Sequence, residues 1–189
     1  WKNQVYLGAD DGRVHCLDLK TGQTIWRFEA APAKRRMLGL GRFGSAWPVR
    51  AGVMIEEGVA YFTAGLFPGE GIFLYALDAE TGKLSYRRSL TGTGNNGPSP
   101  QGYPLSDGHS LYLTSRMAPT RIDLAEGKEL PFATPFPEVE KSHQYRFYNG
   151  GTYAQIWKGQ IVYGQAALLA YDPQKTWKDK YGREQFGEL

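Results

Sequence analysis

The sequence predicts an all-β chain, a β-propeller of four-stranded antiparallel blades. Three observations lead there. The 189 residues include 24 glycines and 11 prolines, with 14% aromatics, a mixture that favours short strands and tight turns over long helices. Residues 16–26, CLDLKTGQTIW, and 76–86, ALDAETGKLSY, repeat the pattern small-x-Asp-x-x-Thr-Gly-x-x-x-aromatic. Ahead of each copy stands a strand-turn-strand segment, as in VYLGADDGRVHCLD (5–18) and VAYFTAGLFPGEGIFLYALD (59–78).

The repeat continues in weaker form. RIDLAEGKELP (121–131) keeps Asp123 and Gly127, with Glu126 in place of Thr. AYDPQKTW (170–177) keeps Asp172. The Asp-to-Asp spacings are 60, 45 and 49 residues. Further upstream in the units, PVRAGVMIEEG (48–58), GYPLSDG (102–108) and TYAQIWKG (152–159) read as strands ending in turn signals. One unit is therefore a meander of strands A to D joined by short hairpin loops. Such units sit approximately at 1–29, 46–90, 101–131 and 150–189, a partial ring of about three and a half blades in one segment covering 1–189. The match of WKNQVY at the start to WKGQIVY at 157 implies that the first unit lacks its strand A. The expectation is an excerpt of a longer propeller.

Each motif residue has a physical task. Asp18 and Asp78 end strand C, and their carboxylates accept turn N–H bonds. Thr21 and Thr81 hydrogen-bond back to them. Gly22 and Gly82 take the positive φ of a tight C–D turn. Trp26 and Tyr86 then lie on strand D, where a flat side chain packs against the next unit. Apolar residues on both faces of the strands call for stacked sheets, and radially stacked meanders make a propeller.

This motif resembles the tryptophan-docking repeat of quinoprotein-like (PQQ-like) β-propellers. SAWPVRAGVMIEEGVAYFTAGLFPGEGIFLYALDAETGK and SPQGY are further similar to bacterial PQQ-binding-like propeller repeat proteins. The resemblance covers roughly residues 4–172 and implies a fold more than an activity, because the motif is a packing device. It also implies a periplasmic or extracellular location. The dehydrogenases of the superfamily hold PQQ with a vicinal Cys-Cys pair, a Ca²⁺ site of Glu, Asn and Asp, and a catalytic Asp. None of these sets is matched here, so no cofactor, metal or catalytic residue is assigned. PQQ with Ca²⁺ enters only if the rest of the chain supplies the site. Other members resemble the propeller lipoprotein of outer-membrane protein assembly, which binds partners and performs no chemistry.

Other chemistry is poorly supported. With 41% hydrophobic and 22% charged residues the chain buries a core. A net charge of +3 does not call for nucleic acid. Cys16 is the single cysteine, which excludes an internal disulfide and a cysteine zinc site. No run approaches the ~20 apolar residues of a membrane span. His15, His109 and His143 lack metal-ligand spacing, and no G-x-S-x-G elbow occurs. Asp10-Asp11-Gly12 lacks an EF-hand pattern and reads as a B–C hairpin turn.

The residues worth testing lie between units. GLGRFG (39–44) matches G-x-G-x-x-G, but a dinucleotide site needs a strand before it and a helix after it. APAKRRM is no apolar strand and Pro48 follows closely, so the match reads as accidental within a flexible, basic D–A connection. The three connections leading into strands A would bring Arg42, Trp47, Arg50, Gln101, Tyr103, Arg146 and Tyr148 to one channel mouth. Arginine with aromatics suits a small anionic or sugar-like ligand, or a protein partner. The expected function is a non-catalytic binding or scaffold module. The alternative is part of a PQQ-dependent dehydrogenase with cofactor residues outside this segment. A weaker alternative is anionic-polymer binding through the basic 27–50 segment.

Overall fold

In the computed structural model, residues 1–39, 41–90, 98–115, 120–130, 153–163, 169–172, 176–178, 182 and 184–186 are described. Among them the only helical turn is a 3₁₀ turn at Pro68–Glu70. The strands are β1 (Gln4–Gly8), β2 (Arg13–Asp18), β3 (Thr24–Glu29), β4 (Arg36–Gly39), β5 (Arg42–Ser45), β6 (Met54–Glu56), β7 (Val59–Ala64), β8 (Ile72–Asp78) and β9 (Leu84–Leu90). There follow β10 (Leu105–Ser106), β11 (Ser110–Leu113), β12 (Thr120–Asp123), β13 (Glu129–Leu130), β14 (Ala154–Trp157), β15 (Gln160–Tyr163), β16 (Leu169–Tyr171), β17 (Thr176–Lys178) and β18 (Glu184–Phe186).

Every sheet is an antiparallel meander in chain order. β6-β7-β8-β9 and β10-β11-β12-β13 are four-stranded; β1-β2-β3 and β14-β15-β16 are three-stranded. The turns explain the register. Lys2-Asn3, Glu57-Gly58 and Lys158-Gly159 all have positive φ at both residues, as two-residue hairpins of the favoured twist require. These are the A–B turns that the WKNQ and WKGQ matches predict. The B–C turn of the first sheet closes at Gly12, with φ +86, and Arg13 N–H donates to Asp11 Oδ1 at 3.0 Å.

The Asp-x-x-Thr-Gly segments form the expected C–D turns. Asp18 Oδ1 accepts the Thr21 N–H at 2.7 Å and the Thr21 hydroxyl at 2.8 Å. Asp78 Oδ1 does the same with Thr81, at 2.8 and 2.6 Å. In the third copy Asp123 Oδ1 accepts the Glu126 N–H at 2.7 Å. Gly22, Gly82 and Gly127 carry φ of +69, +71 and +67. The backbone turn thus survives loss of the threonine hydroxyl.

Residues 1–100 and 101–189 form two compact units. In the first, sheet β1–β3 packs on sheet β6–β9 through Val14, Cys16, Trp26, Phe62, Tyr75 and Leu77. Trp26 is the clasp. Its Nε1–H donates to the Ala79 carbonyl at 2.9 Å, and its ring lies over Gly82, where an added Cβ would come within 2.7 Å of Trp26 Cδ2. The strand-D aromatic of one blade therefore docks on the C–D turn of the next. Tyr75 and Tyr6 add hydroxyl bonds to the Ala30 and Ala79 carbonyls at 2.6 and 3.1 Å. Phe28, Phe62 and Tyr75 complete the seam, with ring centroids 5.3–6.2 Å apart. In the second unit the buried residues are led by Leu111, Tyr112, Leu113, Ile122, Ile161 and Tyr163.

Two expectations change. The connection expected to be flexible, 30–50, contains a β-hairpin, β4–β5, with Gly39 opposite Arg42 and Gly41 at φ +74. GLGRFG straddles the end of that ribbon, with Gly39 closing β4 and Arg42–Gly44 in β5, and no helix follows it among the described residues. Strand A of the second blade spans only Met54–Glu56 rather than the whole of 48–58. Near the end of the chain, β17 pairs with β18. Asp172 follows β16, and residues 173–175 lie outside the described residues.

Candidate functional site

The β4–β5 ribbon stands on a fixed base. Ser45 N–H donates to the Asp10 carbonyl at 2.8 Å, and Ala46 N–H to the Arg35 carbonyl at 2.9 Å. Arg35 grips Glu70 with both terminal nitrogens, one at 2.7 Å. Trp47 Nε1–H donates to the Glu70 carbonyl at 2.8 Å. The ribbon is thereby tied to the first B–C turn and to the 3₁₀ turn of the second blade.

Between ribbon and 3₁₀ turn lies an open cleft of about 680 Å³. Its walls are apolar at Leu38, Phe43 and Phe67 and polar at Asp10, Arg42 and Arg50. Arg50 Nε donates to Asp10 Oδ1 at 2.8 Å, so this pair is internally neutral. Arg42 has no ion pair among the described residues. Among the described residues the cleft has one uncompensated positive charge, set beside exposed hydrocarbon.

Arg42 and Arg50 meet at this cleft. Trp47 does not: it is 8% exposed and belongs to the core. Its ring is buried because its one donor already has a partner in Glu70. Its contribution is to hold the cleft wall rather than touch what enters. In the second unit, Gln101 N–H donates to the Thr114 carbonyl at 3.2 Å. Tyr103 is exposed, with its ring 6.3 Å from that of Tyr153. Tyr153 was not singled out in the sequence, although it leads into β14 much as Tyr103 leads into β10. Arg146, Tyr148 and His143 lie outside the described residues.

The titrating groups with displaced pKa values are structural. Hydrogen bonds from the Thr21 N–H and hydroxyl hold Asp18 below the ordinary carboxylate range. The Thr81 hydroxyl and N–H do so for Asp78. At Asp107 burial pushes upward, but donors from Ser110, Tyr112 and His109 outweigh it and the net shift is down. Burial raises the Cys16 thiol, which makes it a packed hydrophobe rather than a nucleophile. His109 N–H caps Asp107 Oδ1 at 2.9 Å.

Comparison with known proteins decides the family. The family model described as outer membrane protein assembly factor BamB matches residues 10–130. The chain belongs to this PQQ-like β-propeller family. Among curated relatives, the dehydrogenase subunit of the quinone alcohol dehydrogenase of Gluconobacter oxydans is 34% identical over 124 residues. That match covers 64% of this chain and 15% of the relative. Quinohemoprotein alcohol dehydrogenase ADH-IIG of Pseudomonas putida is 36% identical over 87 residues, 46% of this chain and 11% of that one. The chain thus spans a small part of the relatives it matches. Solved structures agree on the fold. Quinohemoprotein alcohol dehydrogenase from Comamonas testosteroni aligns with a TM-score of 0.64 at 15% identity, over 98% of this chain and 37% of that one. BamB from Moraxella catarrhalis gives 0.57 at 14%, over 98% and 46%. The propeller blades expected from the repeat are therefore a family property.

The PQQ-anchoring residues expected of a dehydrogenase do not fit this segment. Cys16 is the single cysteine and is fully buried. Among the described residues no three His, Cys, Asp or Glu side chains gather closely enough to hold a metal ion. No helix among them is long and apolar enough to cross a membrane.

Proposed function

We propose that residues 1–189 supply consecutive blades to one quinoprotein-type propeller, and that the whole protein is a PQQ-dependent alcohol dehydrogenase acting outside the cytoplasm. The observation that carries this reading is the 34% identity over 124 residues to a quinone alcohol dehydrogenase subunit. The segment's own part is that of a rigid wall. Trp26 and its neighbours lock adjacent blades, so loops at the rim are held with little entropy left to lose on binding. Residues elsewhere in the longer protein anchor the cofactor. The test is dye-coupled oxidation of primary alcohols by the full-length protein after loading with PQQ and Ca²⁺. The expected outcome is turnover that requires both. Loading without turnover on any alcohol overturns the reading.

A second reading, a non-catalytic binding module, is favoured by one specific observation: the tethered β4–β5 ribbon presents exposed apolar side chains beside cations with no ion pair among the described residues. The anionic-polymer reading is weakened by pairing, since Arg35 and Arg50 of the basic segment are engaged by Glu70 and Asp10. It calls for binding that falls steeply with salt.

A further inference from the structure

Leu38 and Phe43 are directly paired across the β4–β5 ribbon. Directly opposed residues share a face of an antiparallel pair, and Arg36, two residues before Leu38, shares it too. Leu38 is 68% exposed and Phe43 73%. Met37, on the other face, packs on the core. Across the cleft Phe67 is 50% exposed. A ribbon this short normally turns its large apolar residues inward; here the inward face is served by Met37 and the outward face carries the larger hydrocarbon. Contiguous exposed apolar side chains rimmed by polar ones mark interaction sites.

The rim is basic. Lys34, Arg36 and Arg42 are exposed and have no ion pair among the described residues, whereas Arg35 and Arg50 are both paired. Arg42, opposite Gly39 and so on the Met37 face by alternation, lines the cleft with Leu38, Phe43 and Phe67; Arg36 lies on the Leu38–Phe43 face, and the paired cations brace the base. A small ligand fits poorly, because such ligands have most of their surface buried by a pocket and these walls are themselves half or more open. An extended chain laid across the ribbon would cover them.

We infer that the β4–β5 ribbon and Phe67 dock an acidic peptide segment of a protein partner, one that places a bulky apolar side chain next to Asp or Glu. The apolar side chain rests on Leu38, Phe43 and Phe67. The carboxylates meet Arg42 and Arg36, where guanidinium forks bind them bidentately. The base bonds from Ser45, Ala46, Arg35 and Trp47 hold the ribbon in place before the partner arrives, which limits the ordering cost. This inference stands whether or not the full chain oxidises alcohols.

The test is selection of a random peptide library displayed on phage against the full-length protein, with affinities of the selected peptides then measured by calorimetry. The expected result is enrichment of Asp or Glu adjacent to Phe, Leu or Trp. Binding should weaken about tenfold or more in Arg42→Glu and, separately, in Phe43→Ser. Both side chains are exposed, so circular dichroism should show the fold retained. If Arg42→Glu perturbs the fold, Arg42→Gln serves in its place. Selected peptides with no acidic-apolar pairing, or equal binding by the variants, would overturn the inference. So would sedimentation showing that Phe43→Ser abolishes self-association, which would assign the ribbon to a second copy of the chain.

Discussion

Trp26 concentrates more of the structure than any other side chain described. It fills the seam between two blades, occupies the space over Gly82, and satisfies the Ala79 carbonyl. Truncation to Ala removes a buried aromatic and the shorter of the two hydrogen bonds to that carbonyl, leaving the Tyr6 hydroxyl. A loss of about 3–5 kcal/mol is expected, measured by chemical denaturation of the full-length protein. Gly82→Ala attacks the same contact from the other side. Its φ of +71 and the 2.7 Å approach to the indole both oppose a Cβ, so destabilisation beyond ~1 kcal/mol is expected. Thr63 makes the opposite case. Its hydroxyl is buried and has no partner among the described residues, so Thr63→Val should hold or raise stability, by up to about 1 kcal/mol. Acid sensitivity follows from the turn carboxylates. Asp18 and Asp78 titrate lower in the folded chain than in the unfolded one. Their contribution is therefore complete above the ordinary carboxylate pKa of about 4 and is lost as pH falls through the folded values. Denaturation midpoints should fall below about pH 4, and NMR titration should place Asp78 higher in Thr81→Val.

The elements show where sequence is informative and where it is not. The C–D turns were legible because Asp, Thr and Gly act within five residues of one another. Local chemistry of that kind is written in adjacent letters. The docking of Trp26 was legible too, as the repeat spacing places each aromatic on strand D. The β4–β5 ribbon was not. Its strands are four residues each, basic and poor in alternation, and what holds them lies far off in sequence, at Asp10 and Glu70. Tertiary anchoring, not propensity, makes them strands. The same reason explains Trp47, whose aromatic character suggested a ligand but whose partner, the Glu70 carbonyl, no local pattern reveals. Replacing Glu70 by Ala releases Arg35 while leaving the Trp47 bond to the backbone carbonyl. Hydrogen exchange at β4 and β5 should then quicken while the Trp26 seam stays protected.

At the scale of the molecule, the segment has the blades of a PQQ-like propeller family. The fold was legible because a repeated unit announces itself through its period. The site was less so: Arg42 and Arg50 share a cleft, Trp47 turns inward, and Gln101 and Tyr103 belong to the second compact unit. A binding surface is assembled from distant, non-repeating letters, and the repeat carries no information about them. What remains is the claim that this wall belongs to a cofactor-bearing whole. The most direct measurement is the amount of PQQ retained per protein by the full-length chain in the presence of Ca²⁺, for the natural sequence and for Cys16→Ala. The account predicts about one PQQ per chain, as one site in one propeller requires, unchanged by removal of the buried thiol. Absence of bound PQQ, or its loss in Cys16→Ala, would contradict it.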